Sequence, residues 1–119
     1  MKILIADDFA PVRNSVRRML QSVKGVTLIA EAADGAEAEK QFRSLCPDVL
    51  VLDIHMPKKT GLELLDQIRN DLAKTVVIVL TNFSDHETCG ECYRLGAHYV
   101  FDKTTEFEAM VDVVRDLVR

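Results

Sequence analysis

Short apolar runs alternate with longer segments of mixed polarity along this chain. The apolar runs are rich in Val, Ile and Leu, as buried strands are, and they occupy residues 2–6, 27–32, 48–53, 75–81 and 98–102. The segments between them carry apolar residues at helical spacing. This alternation predicts an α/β fold in which five helices cover both faces of one sheet of five parallel strands.

The helical segments differ in how clearly their ends are marked. Their apolar faces comprise Val12, Val16, Met19, Leu20 and Val23 in the first, Ala38, Phe42 and Leu45 in the second, Leu62, Leu65, Ile68 and Leu72 in the third, and Phe107, Met110, Val111, Val114 and Leu117 in the fifth. Thr105 and Glu108 stand at capping-box spacing and predict the start of the fifth helix. The sequence "SDHE" (84–87) predicts the start of the fourth helix, although Gly90 disfavours that helix by about 1 kcal/mol relative to Ala.

The length, charge and cysteine content of the chain restrict the number of domains, the kinds of partner and the compartment that we expect. Its 119 residues fit one domain, which we place at 1–119 without an output domain. The net charge of −4 argues against nucleic acid or anionic membranes as direct partners. The aliphatic run at 76–80 is far shorter than the ~20 residues of a membrane helix. Three cysteines, an odd number, favour a reducing compartment, so we expect a cytoplasmic protein.

Side chains that can bind ions or take part in a reaction stand where four of the predicted strands end. They are Asp7 and Asp8 after the first strand, Asp53 at the end of the third, Thr81 at the end of the fourth and Lys103 after the fifth. Ligands of open parallel sheets bind outside the carboxyl ends of the strands, so we expect these groups to meet there. Three carboxylates repel one another unless a cation neutralises them, and Mg²⁺ prefers oxygen ligands. Acids, metal and lysine together suit phosphoryl transfer.

Each of these residues taken alone has a simpler interpretation. Asp8 or Asp53 could be the N-cap of the helix that follows it. Thr81 could be only a β-forming residue, and Lys103 could be a solvated surface lysine. The coincidence of all these groups on one edge of the sheet favours a phosphoryl or metal site over the separate interpretations.

In this order, the motifs resemble those of the receiver domain of two-component response regulators, over essentially the whole chain. "LIADD" is similar to the acidic pair of that family, and "VLVLDIHMPKKTGLELL" is similar to its phosphoacceptor strand and the loop after it. "VIVLT" resembles the strand that ends in a switch hydroxyl, and "GAHYVFDK" the segment that ends in the active-site lysine. The resemblance implies the flavodoxin-like strand order 2-1-3-4-5, which the family itself exemplifies.

The resemblance also implies the chemistry of the site. Asp53 would accept a phosphoryl group from a histidine of a sensor histidine kinase or phosphotransfer protein. Asp8, Asp53 and the backbone carbonyl of His55 would hold Mg²⁺, with Asp7 acting through water. The chain would catalyse its own phosphorylation and dephosphorylation without being a conventional enzyme that releases a substrate.

A change of binding face is the implied output. Thr81 and Lys103 would bind the phosphoryl group on Asp53, and the equilibrium between two packings of the fourth helix and its neighbours would move. A downstream protein would read the new face, and the fourth and fifth helices offer a route to a phosphorylation-dependent homodimer.

Two positions near Lys103 depart from the family pattern. The aromatic residue commonly found three residues before the lysine is Val100 here, and Tyr99 stands one position earlier. A shift of one residue places a strand side chain on the opposite face of the sheet, so Tyr99 does not replace that aromatic residue. The proline that commonly follows the lysine is Thr104 here. Because a non-proline cis bond costs about 2.5–4 kcal/mol, we expect a trans bond.

The residues after Thr81 also depart from the pattern. The family commonly has a small residue there, whereas this chain has Asn82 and then Phe83. We expect both to lie near the phosphoryl group. Our hypothesis is that Phe83 and His55 limit the approach of water and lengthen the life of the acyl phosphate.

Two other functions remain open at this point. A pseudo-receiver would keep the fold and signal by protein contact without phosphate, as Asn82, Val100 and Thr104 suggest. A thiol or zinc module would use Cys89 and Cys92, which form a CxxC pair with His86 three residues before it. The remaining cysteine, Cys46, lies at the far end of the second predicted helix, and the pair falls inside a helix, so we favour ordinary packing cysteines.

Overall fold

Five strands and five α-helices alternate along the part of the chain that the computed structural model describes, residues 1–56, 58–82, 86–103 and 105–118, with the backbone alone for 86–88. The strands are β1 (Lys2–Ala6), β2 (Leu28–Ala32), β3 (Val49–Asp53), β4 (Val76–Thr81) and β5 (Tyr99–Asp102). The helices are α1 (Ala10–Gln21), α2 (Gly35–Leu45), α3 (Gly61–Ile68), α4 (His86–Arg94) and α5 (Phe107–Leu117), and a 3₁₀ turn, Arg69–Asp71, follows α3.

The strands form one parallel sheet in the order β2-β1-β3-β4-β5. This confirms the fold and the strand order predicted from the sequence. The register places Ala6 beside Leu52, Asp53 beside Leu80 and Thr81 beside Asp102. The carboxyl ends of the four neighbouring strands β1, β3, β4 and β5 therefore meet along one edge of the sheet.

The core lies in two layers, one on each face of the sheet. Alternate strand residues point to opposite faces, so β1 contributes Leu4 to one layer and Ile5 to the other. The layer with Leu4 also contains buried residues of α2, α3 and α4, and the layer with Ile5 contains those of α1 and α5. Because β1 and β3 are buried on both faces, the polar groups at their ends are held by closely packed backbone.

Side chains from the flanking helices cap the free edge of β2. Nη1 of Arg17 on α1 donates a hydrogen bond to the carbonyl of Ile29 at 3.1 Å. Nε2 of Gln41 on α2 donates to the carbonyl of Glu31 at 2.6 Å. These two bonds occupy acceptors that an edge strand would otherwise offer to another chain.

The start of α5 differs from the prediction. The structure places the N-cap at Glu106, so the capping box predicted from Thr105 is wrong. The carboxylate of Glu106 instead accepts the backbone N–H of Asp102 at 2.9 Å. A contact with the end of β5 thus decides where this helix begins, in place of the local pattern.

The end of the third helix and the start of the fourth helix also bear on the prediction. α3 ends at Ile68, and the 3₁₀ turn takes over before Leu72, which is nevertheless buried. The predicted start of the fourth helix at 84–85 lies outside the described residues. Within the described ranges, each helix is too short or too polar to cross a lipid bilayer.

Candidate functional site

Asp53 stands at the end of β3 with both carboxylate oxygens in hydrogen bonds. Only 5% of its surface is exposed. Oδ1 accepts the backbone N–H of His55 at 3.1 Å, and Oδ2 accepts from Lys103 Nζ at 3.1 Å. The following helix is capped by Thr60, so Asp53 is not a helix cap. It is a buried carboxylate at the edge of the sheet.

The acidic pair follows β1 directly and divides into a buried and an exposed carboxylate. Oδ1 of Asp7 accepts the backbone N–H of Phe9 at 2.9 Å, and Oδ2 contacts Lys103 Nζ at 2.6 Å. Asp8 is exposed. The N-cap of α1 is Phe9, so the interpretation of Asp8 as an N-cap is wrong, and its carboxylate is open to a ligand.

Lys103 joins the two buried carboxylates through one ammonium group. Burial alone would lower the pKa of Lys103, but its hydrogen bonds and charge contacts with Asp7 and Asp53 outweigh burial and raise the pKa above 10.5. Burial and the charge of Asp7 raise the pKa of Asp53 above 3.8, while the His55 amide and Lys103 act in the opposite direction. The pocket thus holds a charged lysine between two carboxylates, one of which resists ionisation.

The donor set of the pocket fits a hard divalent cation. Carboxylate oxygens of Asp7, Asp8 and Asp53 lie within 4.8 Å of one another. Among the described residues, these three form the group of acidic, histidine or cysteine side chains that could hold a metal ion. Mg²⁺ binds oxygen ligands, typically one or two carboxylates with water completing the coordination. Two buried carboxylates and one exposed carboxylate provide that combination.

The loop after Asp53 is held tightly against its surroundings. The backbone N–H of Gly61 donates to the carbonyl of Ile54 at 2.7 Å, and a Cβ at Gly61 would lie 2.6 Å from the Asp53 carbonyl oxygen. Nζ of Lys59 contacts Glu39 of α2 at 2.6 Å. Together these contacts fix the backbone that carries His55, the residue predicted to offer its carbonyl to the metal.

The switch residues predicted from the sequence lie at the same edge. Thr81 is fully buried at the end of β4, and its carbonyl accepts the backbone N–H of Lys103 at 3.0 Å. Asn82 is exposed beside it. Phe83 and the Lys103–Thr104 peptide bond lie outside the described residues, so the expectations about them stay predictions.

The aromatic residues of β5 lie on the other side of the sheet from Val100. Val100 packs against the core layer shared by α2, α3 and α4, whereas Phe101 packs against the layer of α1 and α5. Tyr99 stacks on Phe101 with the ring centroids 5.9 Å apart. Tyr99 therefore does not occupy the position of the aromatic residue that Val100 replaces.

The CxxC pair has little of the character of a reactive or metal-binding pair. Cys92 is fully buried in the core, and burial, followed by the charges of Cys89 and Glu91, raises the pKa of its thiol to about 11. Because the thiolate is the reactive and ligating form, this thiol is inert at neutral pH. Cys46 is exposed at the end of α2. The side chain of His86 lies outside the described residues. The environment of Cys92 favours a packing role.

One contact of the acidic pair was missed by the sequence reasoning. Nη1 of Arg13 donates a hydrogen bond to the backbone carbonyl of Asp7 at 2.7 Å. The available signal was a basic residue in the first turns of the helix that follows the acidic pair. That signal is weak, because α1 also carries Arg17 and Arg18.

This chain is similar in sequence to a known protein family and to known proteins. The family model of the response regulator receiver domain matches residues 3–115. The oxygen regulatory protein NreC of Staphylococcus epidermidis is 35% identical over 97% of this chain and 53% of its own length. NreC of Staphylococcus aureus is 33% identical over 100% of this chain and 55% of its own length. The chain spans about half the length of these curated relatives.

Solved structures with the same fold carry receiver domains as well. The response regulator domain of CheB from Thermotoga maritima is 27% identical, with a TM-score of 0.86, over 100% of this chain and 93% of that one. A CheX–CheY complex with BeF₃ and Mg²⁺ from Borrelia burgdorferi contains a similar chain, 25% identical, with a TM-score of 0.89, over 100% of this chain and 90% of that one.

Proposed function

Because this chain belongs to the response regulator receiver family of two-component systems, we propose that it accepts a phosphoryl group on Asp53 in a Mg²⁺-dependent reaction and thereby changes the face it offers to other proteins. The observation that carries the proposal is the Lys103 ammonium, which contacts Asp7 at 2.6 Å and Asp53 at 3.1 Å beside the exposed Asp8.

The transfer step uses the Asp53 carboxylate as nucleophile. One of its oxygens attacks the phosphorus of a phosphohistidine on a sensor histidine kinase or phosphotransfer protein. A P–O bond to Asp53 forms, the P–N bond breaks, and the imidazole leaves with its electron pair and takes up a proton. The backbone N–H of His55 orients the carboxylate for this attack through its 3.1 Å hydrogen bond to Oδ1.

Asp8, Asp53 and the backbone carbonyl of His55 would hold Mg²⁺, with Asp7 contributing through water. Bound Mg²⁺ supplies the positive charge that offsets the crowded carboxylates and the incoming phosphoryl oxygens. The donor set supports this assignment, since the three carboxylates lie within 4.8 Å. Mg²⁺ is also part of the Borrelia complex that contains a similar chain.

Lys103 and Thr81 connect the modification to the rest of the molecule. In the unmodified site Lys103 is bound to carboxylates. A phosphoryl group on Asp53 offers it new acceptor oxygens, and the Thr81 hydroxyl stands at the same strand ends. Binding of both groups to the phosphoryl oxygens shifts the equilibrium towards a second packing of α4, β5 and α5.

The consequence of this reaction is a change of partner. The chain catalyses its own phosphorylation and then its own dephosphorylation, in which water takes the phosphoryl group and inorganic phosphate is released. Because the modified residue is its own Asp53, we classify the chain as a regulated binding module and not as a conventional enzyme. Its partners are a sensor histidine kinase or phosphotransfer protein and a downstream protein. We place it in the cytoplasm, in keeping with its three free cysteines.

Intact-mass spectrometry after incubation with acetyl phosphate tests the proposal. We expect the mass of one phosphoryl group to be added in the presence of Mg²⁺, and we expect no addition after metal chelation or in Asp53→Asn. Asp112→Asn is the matched control, because Asp112 is an exposed aspartate on α5 that contacts Arg115 at 3.3 Å. This control should be phosphorylated as the wild type is.

Two results would contradict the proposal. Phosphorylation of Asp53→Asn to the wild-type level would place the reaction at another residue. A folded wild-type protein that gains no mass with Mg²⁺ would favour a pseudo-receiver that signals by protein contact alone. A circular dichroism spectrum of each sample establishes that it is folded.

A further inference from the structure

The guanidinium of Arg13 lies behind the acidic pair and links β1 to β2. Its Nη1 donates to the Asp7 carbonyl at 2.7 Å, and its Nε is 3.4 Å from Oε1 of Glu31 on β2. Only 18% of the Arg13 side chain is exposed. The planar fork of an arginine can hold two acceptors in fixed directions, so Arg13 ties the end of β1 to a second strand.

The Asp7 carbonyl is part of the peptide that joins Asp7 to Asp8. A peptide group is planar, so a hydrogen bond to its carbonyl fixes the direction in which the chain continues. The side chain of Asp7 is already held by Phe9 and Lys103. Asp8 is exposed, and the position of its carboxylate depends on this backbone. The bond from Arg13 therefore acts on Asp8.

Glu31 is itself held in place by other residues. It lies in register with Ile5 of β1 in the sheet, and its backbone carbonyl accepts from Gln41 at 2.6 Å. Arg13 thus has a fixed anchor on the side away from the acidic pair.

We propose that Arg13 is a positioning residue of the acidic pair, which holds the Asp7–Asp8 peptide so that Asp8 is preorganised to bind Mg²⁺ together with Asp53. This inference rests on the proposed function of the pocket. Arg13 contacts the backbone of Asp7 and not the reacting carboxylate of Asp53, so its effect is on metal affinity and not on the transfer step.

Arg17 provides a matched control for Arg13. Both arginines lie on α1 and both contact the Glu31 carboxylate. The backbone bond of Arg17 goes to Ile29 at the edge of the sheet, whereas that of Arg13 goes to Asp7. A difference between the two variants therefore isolates the contact with the acidic pair from the loss of an arginine or of the ion pair with Glu31.

The experiment compares wild type, Arg13→Gln, Arg13→Lys and Arg17→Gln in Mg²⁺ titrations of the unphosphorylated protein, followed by amide NMR shifts. Loss of a residue that orients a metal ligand typically lowers the affinity for the metal by about 10- to 100-fold. We expect Arg13→Gln to raise the Kd for Mg²⁺ at least about tenfold, Arg13→Lys to raise it less, and Arg17→Gln to leave it within about twofold. Without metal, the Asp8 amide resonance should shift in Arg13→Gln and stay in place in Arg17→Gln.

Phosphorylation by acetyl phosphate separates positioning from general damage. At saturating Mg²⁺ the rate for Arg13→Gln should return close to the wild-type rate, because the variant weakens metal binding and leaves Asp53 and Lys103 intact. A rate that stays low at every Mg²⁺ concentration would overturn the proposal. Equal effects of Arg13→Gln and Arg17→Gln on the Kd would also overturn it.

The design keeps this inference distinct from the proposed function. Wild-type protein that neither binds Mg²⁺ nor gains a phosphoryl group would overturn both. Wild-type protein that does both, with unchanged metal affinity in Arg13→Gln, would overturn the inference alone. Should Arg13→Gln fail to fold, Arg13→Lys keeps the charge and loses the fork, and wild-type affinity in that variant would overturn the proposal.

Discussion

A single ammonium group offsets part of the negative charge in the buried half of the pocket. Lys103 contacts Asp7 at 2.6 Å and Asp53 at 3.1 Å, and all three residues are buried. Removing one partner of a buried ion pair leaves a charge without compensation, and the cost depends on which partner is lost. Loss of Asp53 leaves Lys103 with Asp7, whereas loss of Lys103 would leave two carboxylates facing each other.

Asp53→Asn is therefore expected to stabilise the protein at neutral pH. Burial and the charge of Asp7 raise the pKa of Asp53, so the folded state binds this proton more tightly than the unfolded chain does. The stability linked to Asp53 falls as the pH rises from 3.8 through the raised pKa, and it stays lower above that range. The amide avoids this loss, and we expect a Tm a few degrees above wild type at pH 7.

Thermal unfolding followed by circular dichroism between pH 4 and pH 7.5 measures this difference. The gap in Tm between Asp53→Asn and wild type should narrow as the pH is lowered, because the wild-type carboxyl becomes protonated. Asp112→Asn, which changes an exposed carboxylate, should show a much smaller gap at every pH. A Tm of Asp53→Asn below that of wild type at pH 7 would contradict the expectation.

The sequence indicated which acidic residues form the site but not which side chains donate hydrogen bonds to their backbone. Asp7, Asp53 and Lys103 could be placed at one edge because parallel strands end together. The bond from Arg13 to the Asp7 carbonyl and the ion pair with Glu31 depend on how α1 packs on the sheet. No local pattern encodes that packing, and so Arg13 was missed.

At the scale of elements, the start of α3 is fitted to the end of β3. Gly61 is the first residue of α3, and a Cβ there would lie 2.6 Å from both the Asp53 carbonyl oxygen and the Ile54 Cα. Both are backbone atoms of the segment that carries the site, so neither can move without moving Asp53. The absence of a side chain at Gly61 allows the helix to approach this closely.

Gly61→Ala is expected to lower the free energy of unfolding by about 1–3 kcal/mol, since overpacking of this kind forces backbone shifts. We also expect slower phosphorylation, because the displaced backbone includes the Asp53 carbonyl. Urea denaturation measures the first effect, and the acetyl phosphate assay measures the second. Unchanged values in both assays would contradict the role assigned to Gly61.

Gly90 offers a control, because the same replacement of glycine by alanine is expected to change the free energy of unfolding in the opposite direction. It lies inside α4, and a Cβ there would meet no described atom within 4 Å. Alanine is the better helix former by about 1 kcal/mol, so Gly90→Ala should raise the free energy of unfolding. A loss of stability in both variants would show that the method does not separate packing from helix propensity.

The elements were easier to predict than their ends. The predicted strand at 27–32 begins one residue later in the structure, at Leu28, because period and composition define a strand better than its boundary. The predicted start of α5 was wrong because the Glu106 carboxylate accepts the backbone N–H of Asp102, a local contact with the end of β5 that the capping pattern does not contain.

At the scale of the whole molecule, the sheet separates two packing layers and brings one site to its edge. The layer with α1 and α5 includes the helix that supplies Arg13, and the layer with α2, α3 and α4 includes the helix that follows the Asp53 loop. The site therefore draws on both layers. The alternation of strands and helices predicted a parallel sheet covered on both faces, and the resemblance to receiver domains implied the strand order. Which helix lies on which face was not predicted.

The capped edge of β2 leads to a prediction about assembly. Replacing Arg17 and Gln41 by alanine would free the carbonyls of Ile29 and Glu31, and exposed strand edges pair with one another. We expect the double variant to self-associate with rising concentration in sedimentation velocity. The double variant Arg18→Ala with Gln21→Ala removes the same residue types from exposed positions of α1 and should sediment as wild type. Equal behaviour of the two double variants would contradict the prediction.

The capped edge of β2 affects whether contacts with other chains can depend on the state of Asp53. Strand addition recognises backbone, which is the same before and after a signal arrives, so a dimer formed that way would not depend on the state of Asp53. With the acceptors of β2 occupied by Arg17 and Gln41, this edge is closed to such a dimer. Under the proposed function, these two side chains would thereby favour contacts that depend on the state of Asp53.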